Sequence, residues 1–261
     1  CITADMLQPA SPRHRQILSL VQERGYIANE TLAQMLGVAV QTIRRDVTFL
    51  ADQGHLARHH GGASAVNSFE NIAYTERQVL NLPAKEAIGR CAAKLVPDRS
   101  TLFINIGTTT ESFARALKDH RDLRVITNNL HVAMTLSRRD DVKTIITGGS
   151  VRPQDGGIVG TSTLDSIDTF RADIGVIGIS GIDADGTLLD FDLDEVTCAR
   201  AIIRNSRRII LLADHTKFGR QPIGRVGHLS DIDDFVTDRE PSPAMRDLMI
   251  AANVTLHIAT G

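Results

Sequence analysis

Several absences narrow the possibilities before any motif is considered. Tryptophan is missing, tyrosine occurs twice and cysteine three times in 261 residues. Cys1, Cys91 and Cys198 are too few, too scattered and odd in number for a disulfide framework, and no Cys-x-x-Cys pair suggests a metal site. Sparse cysteine fits a reducing cytoplasm, with Cys91 and Cys198 expected to pack in helices. No apolar run approaches the roughly 20 residues that span a bilayer, and no signal-peptide pattern opens the chain. No membrane partner is expected. Cys1 to Ser11 reads as a disordered lead-in.

A basic tail is absent too. The formal net charge is -2, with six arginines, five carboxylates and four histidines in residues 1 to 64 and 23 basic and 26 acidic residues beyond. Nothing here coats nucleic acid bluntly, so any DNA affinity must come from a few placed contacts and from oligomerisation. An apolar fraction of 42% supports a real core, and the length has room for a small domain and an ordinary α/β one.

What is present centres on Gln41 to Leu50. At about 100° per residue, Ile43, Val47 and Leu50 fall within about 60° of one another on a helix, while Gln41, Arg44, Arg45 and Thr48 share the other side. Such a helix anchors by one face and reads by the other. Arginine has the planar donors for guanine O6 and N7, and glutamine the groups for adenine N6 and N7. Upstream, Pro12 to Arg24 is amphipathic and stops at Gly25. Asn29 offers a cap for a short helix from Glu30 to Leu36, and Gly37 to Val40 makes a tight turn. This is a helix-turn-helix. His55 to Ala63 then reads as a hairpin wing, with Arg58, His59 and His60 placed to meet phosphate or the minor groove.

Gln41-Thr42-Ile43-Arg44-Arg45-Asp46 followed by Arg58-His59-His60-Gly61-Gly62-Ala63 resembles the winged helix of the DeoR family of bacterial sugar-metabolism repressors. We therefore expect a winged helix-turn-helix over 11–64, a linker over 65–83 with one helical turn around Tyr74 to Leu80, and an effector domain over 84–261.

The second domain alternates short apolar runs with amphipathic helices. Helices are expected at Lys85 to Val96, Thr109 to Leu117, Leu130 to Ser137, Leu193 to Asn205 and Pro243 to Ala252. Strands are expected at Thr101 to Asn105, Arg124 to Thr127, Lys143 to Thr147, Ala172 to Ile179, Arg208 to Ala213, Phe235 to Thr237 and Thr255 to Ile258. The pattern predicts a mostly parallel sheet covered on both faces, with ligands at the carboxyl ends of its strands. Those ends finish in small or polar residues, including Asn105, Asn128, Gly148, Gly149, Asp183 and Lys217. Gly107-Thr108-Thr109-Thr110 opens a helix directly after a strand, where free N–H groups, the helix dipole and three hydroxyls suit a phosphate or carboxylate. No Walker or dinucleotide spacing occurs, so neither ATP nor NAD is expected. Lys217 can supply a matching cation. The acidic run from Asp190 to Glu195 has two readings. Asp192 can cap the next helix with Glu195 reaching back, or these carboxylates with Asp183 can accept bonds from sugar hydroxyls. No metal site is expected.

The segments Phe103 to Thr110, Ile126 to Leu130, Gly178 to Asp183 and Ala213 to Arg220 are similar to the DeoR effector domain. That domain in turn resembles ribose-5-phosphate isomerase and glucosamine-6-phosphate deaminase. Asp155 to Gly160, Leu189 to Asp192, Arg200 to Ile203 and Asn205 to Arg207 look most like members that answer to glycerol 3-phosphate. The resemblance thus implies a repressor bound to double-stranded operator DNA, with glycerol 3-phosphate as its inducer. Asn105 stands where many members have Asp, and Ala199 where many have Lys, which argues for binding rather than turnover. The competing function is a sugar-phosphate isomerase or deaminase with an accessory DNA-binding module, using Asp183 and Glu195 as acid and base. Specific binding to two half-sites predicts a homo-oligomer, dimer or tetramer.

Overall fold

The computed structural model describes residues 11–24, 26–59, 62–65, 74–79 and 81–260. Residues 1–10 of the expected lead-in, His60 of the wing and residues 66–73 of the expected linker lie outside the described residues. The chain divides into two compact units, 1–72 and 73–261.

The first unit runs α1 (Pro12–Arg24), β1 (Tyr26–Ala28), α2 (Asn29–Leu36), α3 (Val40–Asp52), β2 (Leu56–His59) and β3 (Gly62–Ala65). Its core comprises Ile17, Val21, Ile27, Leu32, Ile43, Val47, Leu50 and Leu56, so the apolar stripe of α3 faces inward as its spacing requires. Gly37 ends α2 in a left-handed conformation at φ 64°, which spares a side chain the steric cost there. Two details differ from the sequence reading. Ala28 occupies the cap position of α2, and Asn29 is instead its first residue, buried with Oδ1 unpaired. The wing also gains a third strand, since β1 pairs antiparallel with β3. Three residues are too few to show a period of two, so β1 left no pattern to read.

The second unit opens with α4 (Tyr74–Val79) and α5 (Leu82–Ala93), followed by β4 (Thr101–Ile104), α6 (Thr108–Ala116), β5 (Leu123–Thr127), α7 (Leu130–Leu136) and β6 (Val142–Ile146). A hairpin of β7 (Ser150–Val151) and β8 (Ile158–Val159) precedes α8 (Thr161–Asp168) and β9 (Ala172–Gly178). Then come β10 (Gly181–Ile182), β11 (Thr187–Asp190), α9 (Leu193–Arg204), β12 (Ser206–Leu212), β13 (Gly224–His228), β14 (Asp234–Thr237), α10 (Pro243–Ala251) and β15 (Thr255–Ile258). The expected linker is thus shorter than 65–83, because α4 and the start of α5 belong to this unit. Pro83 in the first turn of α5 explains the early start, since proline is preorganised for that position and its missing N–H costs nothing there.

Seven strands form one sheet in the order β15-β14-β12-β9-β4-β5-β6, every neighbouring pair parallel. Alternate residues go to opposite faces. Leu102, Ile104, Val176, Ile210 and Leu212 pack with Ile88 of α5 and Phe113 of α6, while Phe103, Ile177, Ile209 and Leu211 pack with Val196 and Ile202 of α9. Helices α5 and α6 touch backbone to backbone at Gly89, where an added Cβ would lie 2.7 Å from the carbonyl carbon of Ser112. From β4 the chain winds outward through β5 and β6 on one side, and from β9 through β12, β14 and β15 on the other. The crevice beyond the carboxyl ends of β4 and β9 is therefore the switch point at which such sheets bind ligands.

Candidate DNA-reading face and effector site

On α3, Gln41, Arg44 and Arg45 are exposed, and Thr42 and Thr48 are half-buried. The Thr48 hydroxyl donates to the Arg44 carbonyl at 2.8 Å and accepts from Nη1 of the exposed wing residue Arg58 at 3.1 Å. The Arg44 guanidinium lies 3.6 Å from Glu30. His60 and the side chain of His59 fall outside the described positions, leaving Arg58 as the wing side chain to be judged.

The sequence reading missed what holds this helix. Asp46, buried on α3, accepts from Arg13 Nε at 2.6 Å, from Arg13 Nη2 at 3.1 Å and from His14 Nε2 at 3.2 Å. Burial opposes the charge on Asp46, but the Arg13 and His14 hydrogen bonds outweigh it, and the carboxyl is held below its ordinary pKa. Stacking of His14 on Phe49, with centroids 5.1 Å apart, adds to the clasp of α1 on α3.

At the carboxyl edge of the second unit's sheet, Asn105 and Asn128 are buried, and the Oδ1 of each lacks a partner. The Asn128 amide donates to the Ile158 carbonyl at 3.2 Å, which ties β5 to β8. Gly107, at φ 146°, caps α6, which begins one residue before the expected Thr109. Thr110 spends its hydroxyl on that turn, donating to the carbonyls of Asn105 at 2.8 Å and Gly107 at 2.7 Å. Thr108 and Thr109 are buried at the first turn of α6, facing no side-chain hydrogen-bond partner among the described residues.

Four cations share this region: Arg77, Lys85, Lys217 and Arg220. Lys85, 4% exposed, donates to the Arg77 carbonyl. Burial pushes its pKa down to about 8, against the pull of Asp214 and with a further push from Arg77. Lys217, half-buried after β12, is likewise pushed down to about 8 by burial, with Asp214 opposing and Arg220, Lys85 and Arg77 adding to the fall. Burial also lowers Arg220, whose guanidinium sits 5.3 Å from the centre of the Phe191 ring. Asp214 is buried yet ionised. Burial opposes its charge, but Lys217, the Thr216 hydroxyl and backbone, and Lys85 prevail.

Other expected ligands are occupied within the protein. Asp192 caps α9, accepting from the N–H groups of Asp194 at 2.8 Å and Glu195 at 3.1 Å. Glu195 does not reach back to complete a capping box, because Arg152 takes it instead. One Arg152 guanidinium reaches Glu195 at 2.5 Å, Asp192 at 2.6 Å and Asp155 at 2.6 and 3.1 Å. Burial and the neighbouring Asp190 carboxylate push Glu195 up to about 8, with Arg152 pulling against them. A single cation cannot neutralise so many acids. Asp183 lies in the β10–β11 hairpin, bonded to the Ala184 N–H at 2.7 Å and Gln221 Nε2 at 3.0 Å. Gly148 and Gly149 turn against α8, the former accepting from Thr163 Oγ1 at 2.7 Å. Of the residues missed, Lys85 left a signal, since it shares a helical face with Ile88 and Ala92 and is the only charge there. Arg152 left none, standing in a short hairpin without a period.

The first unit is thus a winged helix-turn-helix with an arginine-bearing outer face, and the second an α/β domain with a cationic sheet edge. Residues 13–69 match the DeoR-like helix-turn-helix domain and residues 80–239 the DeoR C-terminal sensor domain. The chain belongs to the DeoR family. It is 45% identical to the glycerol-3-phosphate regulon repressor of Escherichia coli (strain K12) over 94% of this chain and 98% of the relative. Identity to the repressor of the same name from Haemophilus influenzae is 47%, over 88% of this chain and 90% of the relative. Among solved structures, the ribose 5-phosphate isomerase A of Methanocaldococcus jannaschii aligns at TM-score 0.40 and 16% identity, covering 53% of this chain and 55% of that one.

Proposed function

We propose that the chain is a cytoplasmic transcriptional repressor of a carbon-metabolism operon, induced by a small phosphorylated metabolite, glycerol 3-phosphate. Gln41, Arg44 and Arg45 read bases, Thr42 and Thr48 set the helix against the backbone, and Arg58, His59 and His60 of the wing meet phosphate. A homo-oligomer places two such units on paired half-sites.

One observation carries the sensing role: cations and unpaired buried acceptors meet at a single sheet edge. Lys217, Lys85 and the first turn of α6 with Thr108 and Thr109 suit a phosphate. The free Oδ1 atoms of Asn105 and Asn128 suit hydroxyl donors, which a phosphorylated polyol supplies. The regulator reading is favoured over an isomerase because both acid-base candidates are engaged within the protein, Glu195 with Arg152 and Asp183 with Gln221. The two named relatives are repressors. A thermal-shift panel of phosphorylated trioses, pentoses and hexoses, run beside an isomerase assay, tests this reading. Glycerol 3-phosphate should raise the melting point by mass action without turnover. Catalytic interconversion of any sugar phosphate would overturn it.

A further inference from the structure

We propose that Arg13 of α1 is a further contact to the DNA backbone, held by Asp46 on the flank of α3 opposite the wing, so that Arg13 and Arg58 meet the two phosphate walls of the groove that α3 reads. This rests on the reading of the α3 outer face above, and adds a residue that lies outside both that face and the wing.

A major groove about 12 Å wide is filled by a helix about 10–12 Å across, so whatever projects beside a reading helix stands against one of the two backbones that line the groove. At about 100° per residue, Arg44, Thr48, Gln41 and Arg45 follow one another across the outer face of α3. Phe49, Thr42 and Asp46 then run down one flank to the buried Leu50, Ile43 and Val47. The wing stands at the Arg44 and Thr48 end of the face, where Arg58 donates to the Thr48 hydroxyl at 3.1 Å. The first turn of α1 stands on the other flank. There Arg13 holds Asp46 through Nε at 2.6 Å and Nη2 at 3.1 Å, and the His14 ring stacks on Phe49 at 5.1 Å. Thr48 and Asp46 are about 160° apart around the helix, so α3 is gripped from both flanks, each time by an arginine.

Arg13 has donors left over for a second acceptor. A guanidinium carries five N–H groups, Asp46 takes two of them, and Nη1 has no partner among the described residues. The ion pair is also turned one way. The Arg13 side chain is 39% exposed and that of Asp46 10%, so the negative end points into the domain and the positive end toward solvent. No acid stands in the first turn of α1 or of α3, and Arg15 is exposed nearby. The Ser11 hydroxyl accepts from the His14 N–H at 3.2 Å and fixes the start of α1. A two-point grip on a buried carboxylate fixes the guanidinium plane, which spares a phosphate contact the entropy of ordering a long side chain.

The test measures DNA affinity of the full chain across a series of salt concentrations, on random DNA and on a site that the wild type selects from a random library. Arg13→Gln alone leaves Asp46 a buried charge short of its main partner, so it is combined with Asp46→Asn, which strands no buried charge. Confirmed as folded by thermal melt, the combined variant should bind both DNAs more weakly, with the slope of log K against log salt lower by roughly one. Asp46→Asn alone keeps the Arg13 cation and should keep the wild-type slope, as should Arg13→Lys. Phosphate-ethylation interference on the selected site should lose one position in the combined variant and a different one, on the opposite strand, in Arg58→Ala. A wild-type slope in the combined variant would overturn the contact, and loss of the same phosphate as in Arg58→Ala would overturn its place opposite the wing. If Arg44→Ala leaves binding to both DNAs unchanged, α3 is not the reading helix, and the placement of Arg13 fails for that separate reason.

Discussion

Arg58 of the wing donates to the Thr48 hydroxyl on α3 at 3.1 Å, and that hydroxyl in turn donates to the Arg44 carbonyl at 2.8 Å. Wing and reading helix are therefore joined side chain to side chain on the exposed face. Arg58→Ala should weaken binding to all DNA alike and lower the slope of log K against log salt by roughly one. Thr48→Ala removes the tether and keeps the charge, so its slope should stay at the wild-type value. An unchanged slope in Arg58→Ala would take Arg58 out of the interface.

Arg44 should behave differently. Its 3.6 Å pairing with Glu30 is solvent-exposed, a class of ion pair with little effect on stability. Arg44→Ala should keep its fold and its affinity for random DNA while losing about 1 to 3 kcal/mol on the specific site, the range of one bidentate base contact. Equal losses on both DNAs would make Arg44 a phosphate contact.

The Arg152 cluster predicts a pH dependence of folding. Glu195 is pushed from the ordinary 4.5 up to about 8, chiefly by burial and then by Asp190. Between those values the folded chain holds a proton that the unfolded chain has released, so stability should fall as pH rises from about 5 to about 8. Glu195→Gln removes this titration and should flatten the profile measured by chemical denaturation. The same slope in wild type and variant would assign it to another group.

How far the sequence foretold these features depended on repetition. The stripe of Ile43, Val47 and Leu50 and the alternation of Leu102, Phe103 and Ile104 recur along their elements, and recurrence is what a pattern can show. Single residues in short connections do not recur. Arg152 meets Asp192 and Glu195, 40 and 43 residues along the chain, and Arg220 lies over Phe191 of another loop, pairs brought together only by the fold. Chemistry also misled at two places. Thr110 offers a hydroxyl suited to an anion but spends it on its own turn, and Glu195 fits a capping box but is claimed by Arg152. A competing partner at a distance is invisible to local spacing.

The proposed effector site carries a pH signature of its own through Lys85 and Lys217. Both are pushed down to about 8, with burial the largest cause, so both carry charge below that pH and lose it above. A phosphate monoester, with a second pKa of about 6, is already a dianion there. Glycerol 3-phosphate affinity should therefore be highest near pH 7 and fall progressively as pH rises through about 8. Binding near pH 8 should draw protons from the buffer, which calorimetry in buffers of different ionisation enthalpy detects. Lys217→Glu places a carboxylate among the ligands and should abolish binding, while DNA affinity without effector stays near wild type. Normal induction of that variant would remove Lys217 from the site.

The most direct test of effector control over DNA binding is a pair of titrations. Glycerol 3-phosphate is titrated into the free protein and into the protein saturated with its DNA site, and DNA affinity is measured with and without effector. Linkage requires one coupling factor in both directions, so the effector should bind the DNA-bound protein more weakly by the factor with which it loosens DNA. Equal effector affinity in the two titrations would show that this metabolite binds without controlling the DNA-binding unit.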